Sequence, residues 1–420
     1  MYKKVFYNTV FQVFGKAFTA TITLIITLLI ARTLGPAGFG EFTKIFVFVG
    51  YFYTFADFGL NSIYVRTADK KSEFNLFKVL VGVRLILALI LFAAAISISF
   101  VLPHDLVKQT GFSPLVKAGI LIGSLTILTQ ALFTTANAYF QRNLRYDLST
   151  IAAIAGYLVI LTSTLAITFS GGNLLGYVAS YVLGGFVLVC AAYFLITKRI
   201  KKFILPKFEK NSTQRLVSAS WPIGLALIFN LIYFRIDVLI LSNFRESSEV
   251  GIYGLAYQFF EAALALPIFL VNAIYPLLNE EFLKKSYSKF KSHIKRTLVI
   301  LLSLSVFLTG FLIAVSFLIP AIYDARFIGS QTALAVLALG MPFFFISALL
   351  WHLLIIIKKQ KYLALIYFSG AAFNIILNLI YIPQFGYMAA AIVTVVSEAF
   401  ILLLLVVAVL KSQRNIISKI

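Results

Sequence analysis

Apolar residues fall in runs of about twenty along the whole chain, separated by short polar or charged segments. Each run is long enough to cross a hydrocarbon layer of ~30 Å as a helix rising 1.5 Å per residue. Twelve spans are predicted: 9–31, 42–65, 79–102, 114–139, 147–169, 174–197, 216–241, 251–277, 297–322, 331–357, 362–382 and 387–410. Helix is the spanning form they imply. An open strand edge finds no hydrogen-bond partner in lipid, and a barrel would show short alternating segments. Lys3 and Lys4 precede the first run, but it is too long for a signal peptide and no small-residue cleavage pattern follows.

Polar residues inside the spans keep to one helical face. In the first span Asn8, Gln12, Lys16, Thr19, Thr23 and Thr27 share a stripe of ~100°. Tyr53, Asp57, Asn61 and Tyr64 align in the second, and Thr126, Gln130, Thr134 and Asn137 in the fourth. Asn230, Tyr233 and Asp237 align in the seventh, and Tyr257, Glu261 and Asn272 in the eighth. Asn374, Asn378 and Tyr381 do so in the eleventh, and Thr394 and Glu398 in the twelfth. Such stripes face either a water-filled cavity or a neighbouring helix, since both gather polar and small residues.

Composition fits this pattern. Hydrophobic residues make up 61% of the 420 and charged residues only 12%, against roughly 25% in a soluble protein. That excludes a soluble enzyme, a disordered chain and a disulfide-stapled domain, and the lone Cys190 forms no internal disulfide. The net charge of +21 would suggest nucleic acid in a soluble protein. Here its placement matters more. Taking the N-terminus as cytoplasmic, 27 of the 36 Lys and Arg lie in inside segments and 4 (Arg32, Lys108, Arg245 and Arg326) in outside ones. The positive-inside rule then predicts both termini in the cytoplasm, with no nucleic-acid partner. Lys44, Arg84 and Lys117 lie near span ends and are expected to snorkel, as is Arg235.

The longest inside segment before the midpoint divides the chain into residues 1–197, a cytoplasmic linker 198–215, and 216–420. Six spans on each side give both halves one orientation, so any repeat is parallel. Four loop-end similarities support one. Ala37–Phe42 resembles Glu249–Tyr253, Arg84 matches Arg296, Arg142–Tyr146 matches Lys358–Tyr362, and Gly172 and Gly176 match Gly386 and Ala390, with offsets of about 211–216 residues. The expectation is an all-α integral membrane protein: twelve transmembrane helices in two parallel-related six-helix bundles around a central cavity, working by alternating access.

The intramembrane charges carry the candidate chemistry. Glu261 and Glu398 sit mid-span, and Asp57 and Asp237 are shallower. A carboxylate at such depth costs a few kcal/mol unless protonated, paired or hydrated, so all four are candidates for ion coupling. Lys16 is read as a cavity cation. Asn61, Gln130, Asn137, Asn230, Asn272, Asn374 and Asn378, with Gln12 and Thr23, are candidate cavity-lining residues. Pro222 and Pro267 can kink their helices. His293 and His352 have no companions at metal-ligand spacing and are read as structural. No phosphate-binding loop or G-x-S-x-G element occurs, and the outside loops are too short to build a membrane glycosyltransferase site. The reading is a secondary transporter with no metal and no cofactor.

The segment Arg32-Thr33-Leu34-Gly35-Pro36-Ala37-Gly38-Phe39-Gly40-Glu41-Phe42, then Asp57-Phe58-Gly59-Leu60 and Arg66, resembles the opening of the Wzx-type polysaccharide transporters, the lipid-linked oligosaccharide flippases. The turn at Gln141–Tyr146, Arg235-Ile236-Asp237, Gly251–Ala256 and Pro383–Ala391 are similar to that family too. MATE drug exporters and MurJ lipid II flippases share its superfamily, and the latter typically add two helices for which this chain has no room. The resemblance implies transfer of an undecaprenyl-pyrophosphate-linked oligosaccharide from the inner to the outer leaflet for surface polysaccharide such as O-antigen. It implies a monomer coupled to H+ or Na+ in a bacterial or archaeal inner (plasma) membrane. Lys16, Arg32, Arg66, Arg84 and Arg235 become candidates to hold the pyrophosphate. Four deep carboxylates beside few deep cations depart from the cationic cavity expected of that family. They keep a cation-coupled exporter of organic cations as the alternative.

Overall fold

The structure is a computed structural model that describes residues 2–67 and 73–417; the side chains of 2–10, 13, 226 and 413–417 are outside the description. The side chain of Asn8, and Lys70, Lys71, Arg414 and Lys419, therefore lie outside it. Helix dominates, as hydrocarbon requires. Among the described residues, nine helices are long and apolar enough to cross a membrane, or ten if one bent pair counts as a span.

Two helical runs are double-length. The first joins α1 (Tyr2–Asp57) to the short α2 (Leu60–Thr67), and 54 residues of it meet the span criterion. The run in α14 (Lys361–Ile417) has 52. At 1.5 Å per residue the helical path of each totals about 80 Å, enough for two ~30 Å crossings, and neither run is straight. Each is broken at a glycine of positive φ: Gly35 (φ 66°) and Gly386 (φ 57°). Pro36 follows the first break, where a missing N–H costs a starting helix nothing. The reverse departure occurs at the tenth predicted span. A bend of 42° at Gly340 splits it into Ala325–Ala338 and Met341–Ile356, with Pro342 opening the second piece.

Two compact units are present, Met1–Leu231 and Ile232–Ile420, with the division inside α8 (Lys210–Phe244). The first unit holds α1, α2, α3 (Glu73–Val101), α4 (Pro114–Gly123), α5 (Leu125–Arg142), α6 (Tyr146–Phe169), α7 (Leu174–Ile200) and the start of α8. A core of Leu60, Tyr64, Phe77, Phe140 and Ile196 joins its helices. The 198–215 segment belongs to this unit, because the Lys207 N–H donates to the Lys78 carbonyl of α3 at 3.0 Å. The second unit holds the rest of α8, α9 (Ser247–Leu283), α10 (Tyr287–Ser316), the one-turn α11 (Ile319–Ile322), α12 (Ile328–Ala338), α13 (Met341–Ile356) and α14. Its core includes Tyr233, Leu354, Ile401 and Leu405.

Two end-of-span cations depart from the snorkelling expectation. Lys44 is buried and donates to the Gly111 carbonyl at 2.7 Å. It thereby ties α1 to a two-stranded hairpin, β1 (His104–Asp105) on β2 (Thr110–Gly111). Arg84 is fully buried as well. Both found an acceptor inside the protein, which removes the reason to reach for headgroups.

One contact recurs in both units. A Cβ on Gly172, in the turn before α7, would lie 2.4 Å from Thr33, beside the α1 break. A Cβ on Gly386, at the α14 break, would lie 1.8 Å from Glu249 and 3.1 Å from Arg245, at the α8–α9 turn. In the second unit this contact also closes the broken helix. The Tyr387 N–H donates to Glu249 Oε2 at 3.0 Å, Arg245 donates to the Pro383 carbonyl at 3.4 Å, and Arg245 Nε binds Glu249 Oε1 at 2.6 Å. Orphaned groups on both sides of the break are thus satisfied by one ion pair. Gly386→Ala is expected to lower stability by more than about 2 kcal/mol, from positive φ and the clash. Gly310→Ala in α10, where a Cβ meets nothing within 4 Å, should be neutral or stabilising by roughly 0.5–1 kcal/mol. Thermal unfolding in detergent compares the two.

Candidate functional site

The charged spans form three arrangements, one in the first unit and two in the second. In the first unit, α1 ends at Asp57, and Phe58 (φ 42°) and Gly59 (φ 72°) turn the chain into α2. Arg84 of α3 holds this elbow. Its Nη2 donates to the Asp57 carboxylate at 2.9 Å and to the Asp57 carbonyl at 3.1 Å, and its Nη1 donates to Asn61 Oδ1 at 2.8 Å. Asn61 passes the connection on to the Thr134 carbonyl of α5 at 3.2 Å. A guanidinium at a helix C-terminus satisfies an orphaned carbonyl and opposes the dipole. The elbow packs on α8, where a Cβ on Gly59 would lie 2.6 Å from Ile223 and one on Gly224 2.6 Å from Phe58. Arg84 is thus committed to Asp57 and Asn61, whereas Asp57 remains about one-third exposed.

In the second unit, two side-chain contacts show α8 running antiparallel to the last part of α14. Tyr233 donates to Glu398 Oε2 at 2.7 Å, and four residues on, Thr394 meets Asp237 Oδ2 at 3.4 Å. Tyr253 of α9 donates to the same Asp237 oxygen and lies 3.3 Å from Thr394. Both carboxylates are 2% exposed. Among the described residues neither forms a salt bridge. Asn374 and Asn378 continue the seam: Asn378 donates to Asn374 at 2.9 Å, and Asn374 donates to Ser397 at 3.2 Å. The Asn378 Oδ1 is buried and makes no hydrogen bond. Tyrosines donate to both carboxylates, the Val238 N–H donates to Asp237 Oδ1 at 2.7 Å, and no ion pair neutralises either group among the described residues.

The third arrangement is an ion pair between α8 and α9. Arg235 Nη2 binds Glu261 at 2.7 and 2.5 Å, and the guanidinium stacks 5.4 Å over the Tyr257 ring. The Tyr257 hydroxyl donates to the Phe234 carbonyl at 2.8 Å. Arg235 is therefore paired across to α9 and does not snorkel alone. Glu261 is 46% exposed, so this carboxylate is paired and accessible, unlike Asp237 and Glu398.

The remaining candidates spread through both units. Lys16, Arg32 and Arg66 are exposed, and Gln12, Thr23, Gln130 and Asn137 half-buried. Thr23 donates to the Thr19 carbonyl, a local helix bond, and Asn137 accepts from Ser149. Asn230 is exposed. Asn272 meets His352 Nε2 at 3.1 Å, while His352 Nδ1 faces the Ala348 carbonyl at 2.7 Å. Sequence reasoning missed Tyr253 as the partner of Asp237 and missed the Arg235–Glu261 pair. The second had no clear signal, since Arg235 and Glu261 lie at unequal distances from the turn at Arg245–Glu246 and the long Arg235 side chain spans the difference.

Comparison with known proteins adds the family. The family model described as polysaccharide biosynthesis protein matches residues 2–282. The chain belongs to that family. The MatE model also matches, over residues 222–380. An uncharacterized membrane protein of Methanocaldococcus jannaschii is 23% identical over 405 residues, covering 90% of this chain and 78% of that one. Among solved structures, the lipid II flippase MurJ in an inward-closed conformation is similar with a TM-score of 0.75 at 16% identity, over 96% of this chain and 87% of that chain. An inward-facing multidrug resistance MATE family transporter of the MOP superfamily is similar with a TM-score of 0.72 at 13% identity, over 95% of each chain. The polysaccharide biosynthesis family member described here is thus a multi-pass membrane protein, helical apart from one two-stranded hairpin, with the fold of these flippase and transporter structures.

Arg84 is the bond on which the first-unit elbow rests. Arg84→Ala strips Asp57 and Asn61 of their donor inside the protein and should cost about 3 kcal/mol or more. Arg84→Lys, a point charge without the fork, should recover only part. Thermal unfolding in detergent reads both.

Proposed function

We propose that this protein is a flippase carrying an undecaprenyl-pyrophosphate-linked oligosaccharide from the inner to the outer leaflet for surface polysaccharide synthesis. The observation that carries the reading is the polysaccharide biosynthesis family match over residues 2–282 on a fold shared with a lipid II flippase. A hydrated glycan cannot cross hydrocarbon unaided, while its lipid tail can stay in the bilayer, so the protein's task is to shelter the polar head. On this reading the two double-length runs each cross twice, giving twelve spans in two related six-helix bundles that alternate access. Both termini face the cytoplasm and the protein acts as a monomer.

Of the proposed pyrophosphate ligands, Arg235 is best placed. Its guanidinium fork suits a diphosphate, and its present partner Glu261 is an accessible carboxylate that an incoming dianion can displace. Lys16, Arg32 and Arg66 are proposed to assist at exposed positions. Arg84 is proposed to act by holding the Asp57 elbow. H+ or Na+ coupling is assigned to Asp237 and Glu398, with Glu261 responding to whatever binds Arg235.

A deletion strain should lose surface polysaccharide and accumulate undecaprenyl-linked intermediates on the inner leaflet. The wild-type gene should restore the glycan, and Arg235→Gln should restore no more than about a tenth of it at equal protein level, the scale of one lost charge-assisted bidentate contact. Normal surface glycan in the deletion strain would overturn the reading.

The buried carboxylates Asp237 and Glu398, together with the MatE match over residues 222–380, favour one second reading: a cation-coupled exporter of organic cations. It requires dye efflux from vesicles and drug hypersensitivity on deletion. Under either reading, Asp237→Asn and Glu398→Gln are expected to uncouple transport from the imposed H+ or Na+ gradient while the protein still folds. Gradient-driven flux in proteoliposomes tests this, and undiminished gradient dependence in both variants counts against it.

A further inference from the structure

The strap between α7 and α8, residues 201–209, takes no part in the site above. Its sequence, Lys201-Lys202-Phe203-Ile204-Leu205-Pro206-Lys207-Phe208-Glu209, mixes cations with large apolar side chains. It is fastened along α3. Besides the Lys207 N–H bond to Lys78, Lys207 Nζ reaches Asn75 Oδ1 at 2.9 Å and Glu209 Oε2 at 3.0 Å. Asn75 donates to the same carboxylate at 3.3 Å. The Lys207 carbonyl lies over Gly82, where a Cβ would stand 2.5 Å from that oxygen. Ile204 turns inward onto the first-unit core.

This anchoring leaves Phe203, Leu205 and Phe208 turned outward, exposed by 86%, 69% and 62%. Lys198, Arg199, Lys201, Lys202 and Lys210 are exposed beside them. The ammonium groups of Lys78 and Lys202 flank the Phe74 ring at 5.3 and 6.0 Å. Three large apolar side chains held out by a pinned backbone are unfavourable in water. Both ends of the strap, however, enter helices apolar enough to cross a membrane, which sets it at the height where acyl chains meet headgroups. There aromatic and aliphatic side chains sink inward and Lys and Arg reach the phosphates. Glu209, the single acidic residue of the strap, is already taken by Lys207, so the outward charge is cationic.

We propose that the 201–209 strap is a binding surface for acidic phospholipid headgroups, with Phe203, Leu205 and Phe208 inserted and Lys198, Arg199, Lys201 and Lys202 on the phosphates. The proposal goes beyond transport and does not depend on what is transported.

The test uses the full chain with Phe203→Trp, and with Trp221 and Trp351 changed to Phe, in phosphatidylcholine vesicles. Brominated phosphatidylglycerol or brominated phosphatidylcholine is added at equal mole fraction. Both should quench the tryptophan, and phosphatidylglycerol should be enriched around it about fivefold or more, the scale of a single interfacial cation. Changing Lys198, Arg199, Lys201 and Lys202 to Gln should bring the two lipids within about twofold while quenching persists, with unfolding temperature as the folding control. Absence of quenching by either lipid, or equal quenching by both in the unmodified strap, overturns the proposal. So does displacement of phosphatidylglycerol by stoichiometric polyprenyl diphosphate, which would make the strap a substrate site.

Discussion

Hydrocarbon offers no hydrogen-bond partner, so every polar group carried into the membrane must be satisfied by the protein itself. That constraint decides where the helices break and what stands at each break. At Gly386 the freed groups on either side are taken by Glu249 and Arg245. At the end of α1 the Asp57 carbonyl is taken by Arg84. Lys44 finds the Gly111 carbonyl of the hairpin. The break at Gly386 and the elbow at Asp57 are therefore tied to charged side chains from elsewhere in the same unit.

The spans were legible because a crossing needs a minimum run of apolar residues, and run length is a one-dimensional property. Their connections were less so. Residues 9–31 and 42–65 read as separate spans, and the kink at Gly35, where φ/ψ leaves the helical region, divides them with no loop between. The spacer between them, Arg32–Glu41, is polar enough to look like a loop, but Pro36 and the residues after it restart a helix at once. Residues 331–357 read as one span and are bent near Gly340, whose own torsion is helical (φ −76°, ψ −18°); Pro342, which has no N–H to offer the preceding turn, marks the break.

Facing direction was legible only in part, and partner identity was not. Helical phase grouped Tyr233 with Asp237 and Thr394 with Glu398, and the antiparallel packing of α8 on α14 joins these pairs into a ladder, whereas Asn230, grouped with the first pair, is exposed. Nothing in the sequence alone joins Tyr253 to Asp237, because both neighbours of Asp237 come from other helices. For Arg84 and Lys44, position near a span end suggested headgroups. Their acceptors lie 27 and 67 residues away in sequence, a distance no local rule covers.

The carboxylates consequently divide by partner. Asp57 and Glu261 are held by arginine and remain accessible to solvent or ligand. Asp237 and Glu398 are held by tyrosine and shut away. An anion exchanges with a carboxylate at a guanidinium, since both compete for the same N–H donors, and exchange needs an open approach. Arg235 has both features, whereas Arg84 has the donors and no approach. A phenol, by contrast, donates a single neutral hydrogen bond, and the further donors on Asp237, the Val238 N–H and the Thr394 hydroxyl, are neutral too. That suits a proton or a small cation and gives an anion nothing to bind. Arg235 lies two residues from Asp237 on the opposite side of α8, so the proposed anion-exchange face and the proposed cation-binding face share one helix. Rotation or shift of α8 is then felt by both, which is the minimum a coupled transporter requires: two ligands with different affinities for the same two positions of one rigid element.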